Sequence, residues 1–211
     1  MIKDQPIRPL HNGILRFLFS EPSSGDSSPA IFLDRDGVIN KQIFGGYVTE
    51  WSQFEFVDGI KRTLAELTAL RVPIIVISNQ AGIGKGLLSV ETLAEITRRF
   101  VSELQAEGAR VDAVYYCPHV PEARCSCRKP RPNLLWQASR DWRINLPQSV
   151  LVGDSESDLQ AARLAQCRAI LLAERNGHSL SDDLAAEPPI TVHSAGEIAA
   201  GVRQLLQENE S

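Results

Sequence analysis

The sequence predicts a doubly wound, Rossmann-like α/β fold built on a parallel sheet. Two observations carry that reading. Short apolar runs recur along the chain with amphipathic segments between them, and each run is apolar on both alternations, as strands buried on both faces of a parallel sheet require. A third observation adds function to fold: four of these runs end in reactive polar residues, and ligands of open α/β sheets sit at the carboxyl ends of strands.

Taken in order, residues 1–28 read as an N-terminal extension and linker. GILRFLFS at 13–20 is too short for a secretory leader, is broken by Arg16 and lacks a small-residue cleavage site. EPSSGDSSP at 21–29 has almost nothing to bury and reads as a linker. The domain then runs from 29 to 211. Its strands are AIFL at 30–33, PIIVIS at 73–78, VDAVYY at 111–116, SVLVGD at 149–154 and RAILLA at 168–173. The first helix carries Ile60, Leu64, Leu67 and Leu70 on one stripe with Asp58 as its cap. A second is capped by Ser89, buries Leu93, Ile96, Phe100 and Leu104, and ends at Gly108. A third opens at Glu156 or Ser157, and a last one over 194–207 uses Ile198, Val202 and Leu205.

Composition narrows the class. With 43% hydrophobic residues, 23% charged and a net charge of −4, the chain resembles an ordinary soluble protein and lacks the basic excess of a nucleic-acid binder. No apolar run approaches the ~20 residues that span a bilayer. A cytoplasmic monomer acting on a small molecule, with no nucleic-acid or membrane partner, is expected.

The polar strand ends are DRD, SNQ, CPH and GDSESD. Asp34 and Asp36, two residues apart, share a face, and paired carboxylates need a cation or a proton to offset their repulsion. Asp154 supplies a third anionic ligand for a hard cation, and Mg²⁺ takes oxygen ligands of this kind. The set suggests phosphoryl transfer through an aspartyl phosphate, with the Ser78 hydroxyl, the Asn79 amide and the Lys129 ammonium facing phosphoryl oxygens. Asp158 alone reads as a helix cap. AGIGKG at 81–86 lacks the spacing of a nucleotide-binding P-loop and reads as a flexible loop from which Lys85 reaches the substrate.

Cys117, His119, Cys125 and Cys127 form a Cys-x-His and a Cys-x-Cys pair five residues apart, a set that closes a tetrahedral Zn²⁺ site with no open position. Such a zinc is structural and aims Arg128 and Lys129 at the active site. Cys167 reads as a core residue, and His11, His178 and His193 as surface or capping residues.

AIFLDRDGVIN, VISNQAGIGKG, YYCPH with CSCRKPRP, and LVGDSESDLQAA are similar in order and spacing to the four motifs of the haloacid dehalogenase superfamily of phosphatases, in its zinc-containing branch. The resemblance runs from about residue 30 to about 173. It implies that Asp34 is the nucleophile and Asp36 the general acid and later base. It implies that Asp34, the Asp36 carbonyl and Asp154 bind Mg²⁺, that Ser78, Asn79, Gln80, Arg128 and Lys129 bind the phosphoryl group and substrate, and that Gly46 and Tyr47 belong to a substrate loop. It points to a heptose bisphosphate as substrate, with histidinol phosphate as the alternative and a zinc-stabilised, non-catalytic binding module as the alternative of another class. Lys85, Arg128 and Arg131 are the cations available to a second phosphate. With so few residues between Asp34 and Ser78, no large cap fits, and the site is expected to be open.

Overall fold

The computed structural model describes residues 8–10, 12–22, 25–173 and 189–207. Six parallel strands form its centre: β3 (Ile31–Leu33), β4 (Ile74–Asn79), β5 (Ala113–Cys117), β6 (Val150–Gly153), β7 (Arg168–Leu172) and β8 (Ile190–Val192). Their order across the sheet is β5-β4-β3-β6-β7-β8. The chain therefore moves one way from β3 through β4 to β5, then returns to lay β6 on the other side of β3. That reversal is a topological switch point, and the crevice it opens lies at the carboxyl ends of β3 and β6.

Helices cover both faces. The pleat sends Ile31, Leu33 and Val76 into a core with α1 (Ile60–Thr68), α3 (Val90–Ala106) and α6 (Ala195–Gln207), whereas Phe32, Ile75 and Ile77 pack on the opposite side against α4 (Asn133–Trp142) and α5 (Glu156–Leu164). The short α2 (Ala81–Gly84) follows β4 directly. Residues 34–59, between β3 and α1, form a loop with one 3₁₀ turn at Trp51–Gln53 and no inserted cap domain. Aromatic contacts seat this loop on the body, with Phe54 stacked on Trp51 at 5.1 Å and on Phe100 of α3 at 5.5 Å.

The N-terminal segment differs from expectation. Rather than lying outside the domain, β1 (Arg8–Pro9) and β2 (Leu15–Leu18) form an antiparallel hairpin that pairs with β5 and widens the sheet to eight strands. Ile14, Leu15 and Phe17 are buried, and Phe17 meets Tyr116 edge-on at 5.7 Å. The apolar GILRFLFS stretch thus supplies β2, a strand held between β1 and β5, whose polar Arg16 reaches Asp141 of α4 at 2.6 Å.

Three further differences are local. The cap of α1 is Gly59, with φ +82° and no side-chain hydrogen bond, while Asp58 points to solvent within 3.8 Å of Lys41. The helix α4 was not anticipated; its N-cap is Pro132, so the usual polar start signal is missing. The AGIGKG segment is not a free loop: α2 is tied down by Gly84 N–H donating to Pro118 O at 2.9 Å. Ser89 does cap α3, accepting from Thr92 N–H at 3.0 Å, Cys167 is buried in the core, and His193 Nδ1 sits 3.3 Å from Ala173 O. His11 and His178 lie outside the described residues.

Candidate active site

The site assembles at the switch point. Asp34 directly follows β3, its N–H donating to Val152 O of β6 at 2.9 Å, and Asp154 follows β6. Gly37, with φ +88°, lets the chain turn so closely that a Cβ there would lie 1.8 Å from Asp154 Oδ2. The Asp154 carboxylate thus fills the space a side chain at 37 would take. Gly153 does the same for Asp158, whose Cβ would be 2.3 Å from an added methyl.

Asp34, Asp154 and Asp158 each bring a carboxylate oxygen within 4.8 Å of the others. One cation meets them. Lys129, 3% exposed, places Nζ 3.0 Å from Asp34 Oδ1 and 2.5 Å from Asp158 Oδ1, and donates to Ile77 O at 3.2 Å. Asp158 serves the start of α5, as its position predicts, as the partner of the N-cap Ser155: its Oδ2 accepts from Ser155 N–H at 3.2 Å and Ser155 Oγ at 2.5 Å. The same carboxylate also holds Lys129, so a capping box doubles as the support of a functional lysine.

Three carboxylates, two of them buried and Asp154 half-buried, against one ammonium leave an excess of negative charge. Burial is the main cause that lifts Asp34 to about 7; Lys129 opposes it, and the charges of Asp158 and Asp36 add to it. Burial, then Asp34 and Asp158, lift Asp154 to about 8. Burial alone would lower Lys129, but Asp158 and Asp34 overcome it and raise the ammonium's pKa. An all-oxygen, doubly anionic cluster of this kind fits a divalent hard cation.

Asp36 stands apart from that cluster. Its carboxylate accepts from Arg35 Nη2 at 2.9 and 3.1 Å, Asn40 Nδ2 at 3.0 Å and Gln80 Nε2 at 2.6 Å. Burial would raise its pKa, but the Arg35 charge and these hydrogen bonds hold it below the usual carboxylate range.

The second strand end divides its labour. Ser78 Oγ is buried and accepts from Gln80 Nε2 at 3.1 Å, so Gln80 braces Ser78 and Asp36 together. Asn79, expected at the phosphoryl oxygens, instead clamps the Lys129 backbone: Nδ2 donates to Lys129 O at 3.1 Å and Oδ1 accepts from Lys129 N–H at 3.0 Å. Arg128 is half-buried with Nη1 3.5 Å from His119 O. Arg131 donates to Cys125 O, which directs it to the metal loop. Gly46 is exposed, and Tyr47 packs its ring over Gly82, where a Cβ would lie 3.3 Å away. Lys85 Nζ lies 5.2 Å from the centre of that ring. The loop carrying Gly46 and Tyr47 begins just after Asn40, one of the residues that bind Asp36.

Cys117, His119, Cys125 and Cys127 converge as their spacing predicts. The sulfur separations are 3.2, 3.5 and 3.7 Å, and His119 Nδ1 lies 3.5 Å from Cys117 and 3.3 Å from Cys127. Ligands about 2.3 Å from a tetrahedral zinc are separated by somewhat under 4 Å, so the cage is of zinc size. A hydrogen bond from Cys127 is the main cause that lowers the Cys117 thiol to about 5. The imidazole is braced from outside by the N-terminal hairpin, where a Cβ on Gly13 (φ +77°) would come within 2.8 Å of the ring.

Sequence reasoning missed Arg35 and Asn40. A basic residue between two aspartates at a buried strand end was the available signal.

The fold and the site define a hydrolase of the haloacid dehalogenase type, and a HAD-hydrolase-like family model matches residues 126–198. The chain is 34% identical over 184 residues to the D-glycero-beta-D-manno-heptose-1,7-bisphosphate 7-phosphatase of Photorhabdus laumondii, covering 84% of this chain and 96% of that protein. It is 39% identical over 162 residues to the D-glycero-alpha-D-manno-heptose-1,7-bisphosphate 7-phosphatase of Mycobacterium bovis, covering 72% and 83%. Among solved structures, the D,D-heptose 1,7-bisphosphate phosphatase of B. bronchiseptica, complexed with magnesium and phosphate, superposes with a TM-score of 0.73 at 33% identity, covering 85% of this chain and 99% of that one. The chain belongs to the haloacid dehalogenase superfamily, in the phosphatase branch that these relatives represent, and is a phosphatase.

Proposed function

We propose that the protein removes the 7-phosphate of D-glycero-D-manno-heptose 1,7-bisphosphate through an aspartyl phosphate on Asp34. The observation that carries the chemistry is the convergence of Asp34, Asp154 and the buried Lys129 at the switch point. The substrate rests on the names of the relatives, which cover both anomers.

In this reading Asp34, Asp154 and the Asp36 carbonyl hold Mg²⁺, which when bound offsets the charge of the carboxylates and of the phosphate. An Asp34 carboxylate oxygen attacks phosphorus, the bond from phosphorus to the sugar oxygen breaks, and Asp36, having taken up a proton in the substrate complex, delivers it to that oxygen. Asp36 then takes a proton from the water that attacks the acyl phosphate, which releases inorganic phosphate and regenerates Asp34. Lys129 and Ser78 donate to the phosphoryl oxygens as charge builds on them. Asn79 acts by fixing Lys129, and Gln80 by fixing Ser78 and Asp36. Arg128, Lys85 and the Gly46–Tyr47 loop meet the sugar and its second phosphate. Cys117, His119, Cys125 and Cys127 would hold Zn²⁺, which when bound would fix the loop that carries Arg128 and Lys129. The protein acts as a cytoplasmic monomer; among the described residues no helix is long and apolar enough to cross a membrane.

The test is phosphate release with Mg²⁺ on both anomers of the heptose 1,7-bisphosphate, histidinol phosphate and fructose 1,6-bisphosphate, with Asp34→Asn as blank. The reading predicts a preference of about 100-fold or more in kcat/KM for one heptose anomer, worth roughly 2.7 kcal/mol. Flat activity across the panel would refute the substrate, and a preference for histidinol phosphate would replace it.

A further inference from the structure

We infer that Arg35 is a positioning residue dedicated to Asp36, its buried guanidinium fixing the carboxylate that exchanges protons with the leaving alcohol and the attacking water. The inference rests on the phosphatase reading above and adds to it a residue outside the phosphate and metal sites.

Arg35 has a side chain only 1% exposed. Burying a guanidinium without a counter-charge costs several kcal/mol, so its partner identifies its role. That partner is Asp36: Nη2 reaches both carboxylate oxygens, at 2.9 and 3.1 Å, and Nε lies 3.3 Å from Oδ1. No other carboxylate pairs with Arg35 among the described residues, and its Nη1 has no protein partner there. The guanidinium carbon rests 5.8 Å from the centre of the Tyr116 ring, and Tyr116 is itself pinned by a 3.0 Å hydrogen bond with Thr97 of α3. The clamp is therefore anchored in the core.

The same residue serves the nucleophile through its main chain, its N–H donating to Asp34 Oδ1 at 2.7 Å. One residue thus sets the relation between the two aspartates. Asn40 and Gln80 complete the clamp on Asp36, and each leaves its amide oxygen without a protein partner. With donors converging on both carboxylate oxygens, rotation of the Asp36 side chain breaks several hydrogen bonds at once. A proton donor must be aligned with the departing oxygen in the transition state, so loss of this clamp falls on proton transfer.

The test exploits leaving groups. An alkyl phosphate needs protonation of the departing alcohol, whereas 4-nitrophenyl phosphate expels a stable phenolate with little help. Steady-state kcat/KM, which reports through departure of the alcohol, is measured on a sugar phosphate and on 4-nitrophenyl phosphate for wild type, Arg35→Met, Arg35→Lys, Asp36→Ala and the Arg35→Met/Asp36→Ala double variant. Arg35→Met is expected to lose about 100-fold on the sugar phosphate and under about threefold on the aryl ester. Arg35→Lys, which keeps the charge but loses the planar fork, recovers part of the loss. In the Asp36→Ala background the Arg35 substitution costs under about twofold on either ester. Equal losses on both esters, or losses that multiply in the double variant, would overturn the inference and leave Arg35 a structural residue. If Arg35→Met fails to fold by circular dichroism, Arg35→Lys carries the same comparison with the same pattern at smaller amplitude. A wild-type protein silent on both esters would instead sink the phosphatase reading itself.

Discussion

Replacing Lys129 with methionine separates stability, metal binding and catalysis in one step. The side chain is 2% exposed, and its ammonium lies between Asp34 and Asp158. Methionine keeps the length and removes the charge, leaving two buried carboxylates without their cation. Breaking a buried pair in this way costs about 3–5 kcal/mol. For a chain of this size about 1 kcal/mol moves Tm by 2–4 °C, so a fall of roughly 6–20 °C is expected in magnesium-free buffer with zinc retained. The same change removes a positive charge beside a proposed Mg²⁺ ligand. A unit charge at ~4 Å is worth up to about 4 kcal/mol at an effective dielectric of 20, so Mg²⁺ affinity should rise by roughly tenfold or more. Turnover should move the other way, falling about 10²- to 10³-fold because the phosphoryl oxygens lose a fixed cation. Adding Asp158→Asn should restore part of the stability and none of the turnover. Thermal unfolding, calorimetric Mg²⁺ titration and phosphate release read the three effects separately. A variant with wild-type Tm, unchanged Mg²⁺ affinity and turnover within tenfold would refute the reasoning.

Asp34 and Asp154 have pKa values raised in the fold, to about 7 and about 8, first by burial. Their contribution to stability is therefore present below the unfolded value near 4 and is lost as pH rises through 7 and 8. Tm in magnesium-free buffer should fall over that window, and the Tm gain on adding Mg²⁺ should grow; a Mg²⁺ shift independent of pH would contradict the cation assignment. Elemental analysis should find one zinc per chain, and Cys125→Ser should cost several kcal/mol together with activity, since metal affinity at a structural site is folding energy; full stability after zinc removal would argue against the cage. Gly37→Ala puts a methyl 1.8 Å from Asp154 Oδ2 at a φ of +88°, so loss of Mg²⁺ binding with the fold retained by circular dichroism is expected.

Much of the site was legible because its residues follow strand ends. AIFL, PIIVIS and SVLVGD are apolar on both alternations, so the residues after them had to emerge at one sheet edge. The Cys-x-His and Cys-x-Cys pairs announced their cage by spacing alone. What stayed hidden depended on partners far along the chain. Asp158 looks like part of a helix cap because it is, and only the fold shows that its other oxygen holds Lys129. Asn79 offers the same amide whether it faces a phosphate or a backbone, and Lys129 decides that choice from 50 residues away. The β2 strand was obscured by its length and by Arg16, whose partner Asp141 lies on a helix whose start carries no polar cap.

The most direct measurement of the central claim is chemical trapping of the enzyme during turnover. Acid quench followed by borohydride reduction converts an acyl phosphate on aspartate to homoserine, which peptide mass spectrometry locates. The account predicts homoserine at position 34 when both substrate and Mg²⁺ are present, and none in Asp34→Asn. Rapid phosphate release from the wild-type protein with position 34 unmodified at every quench time would contradict it.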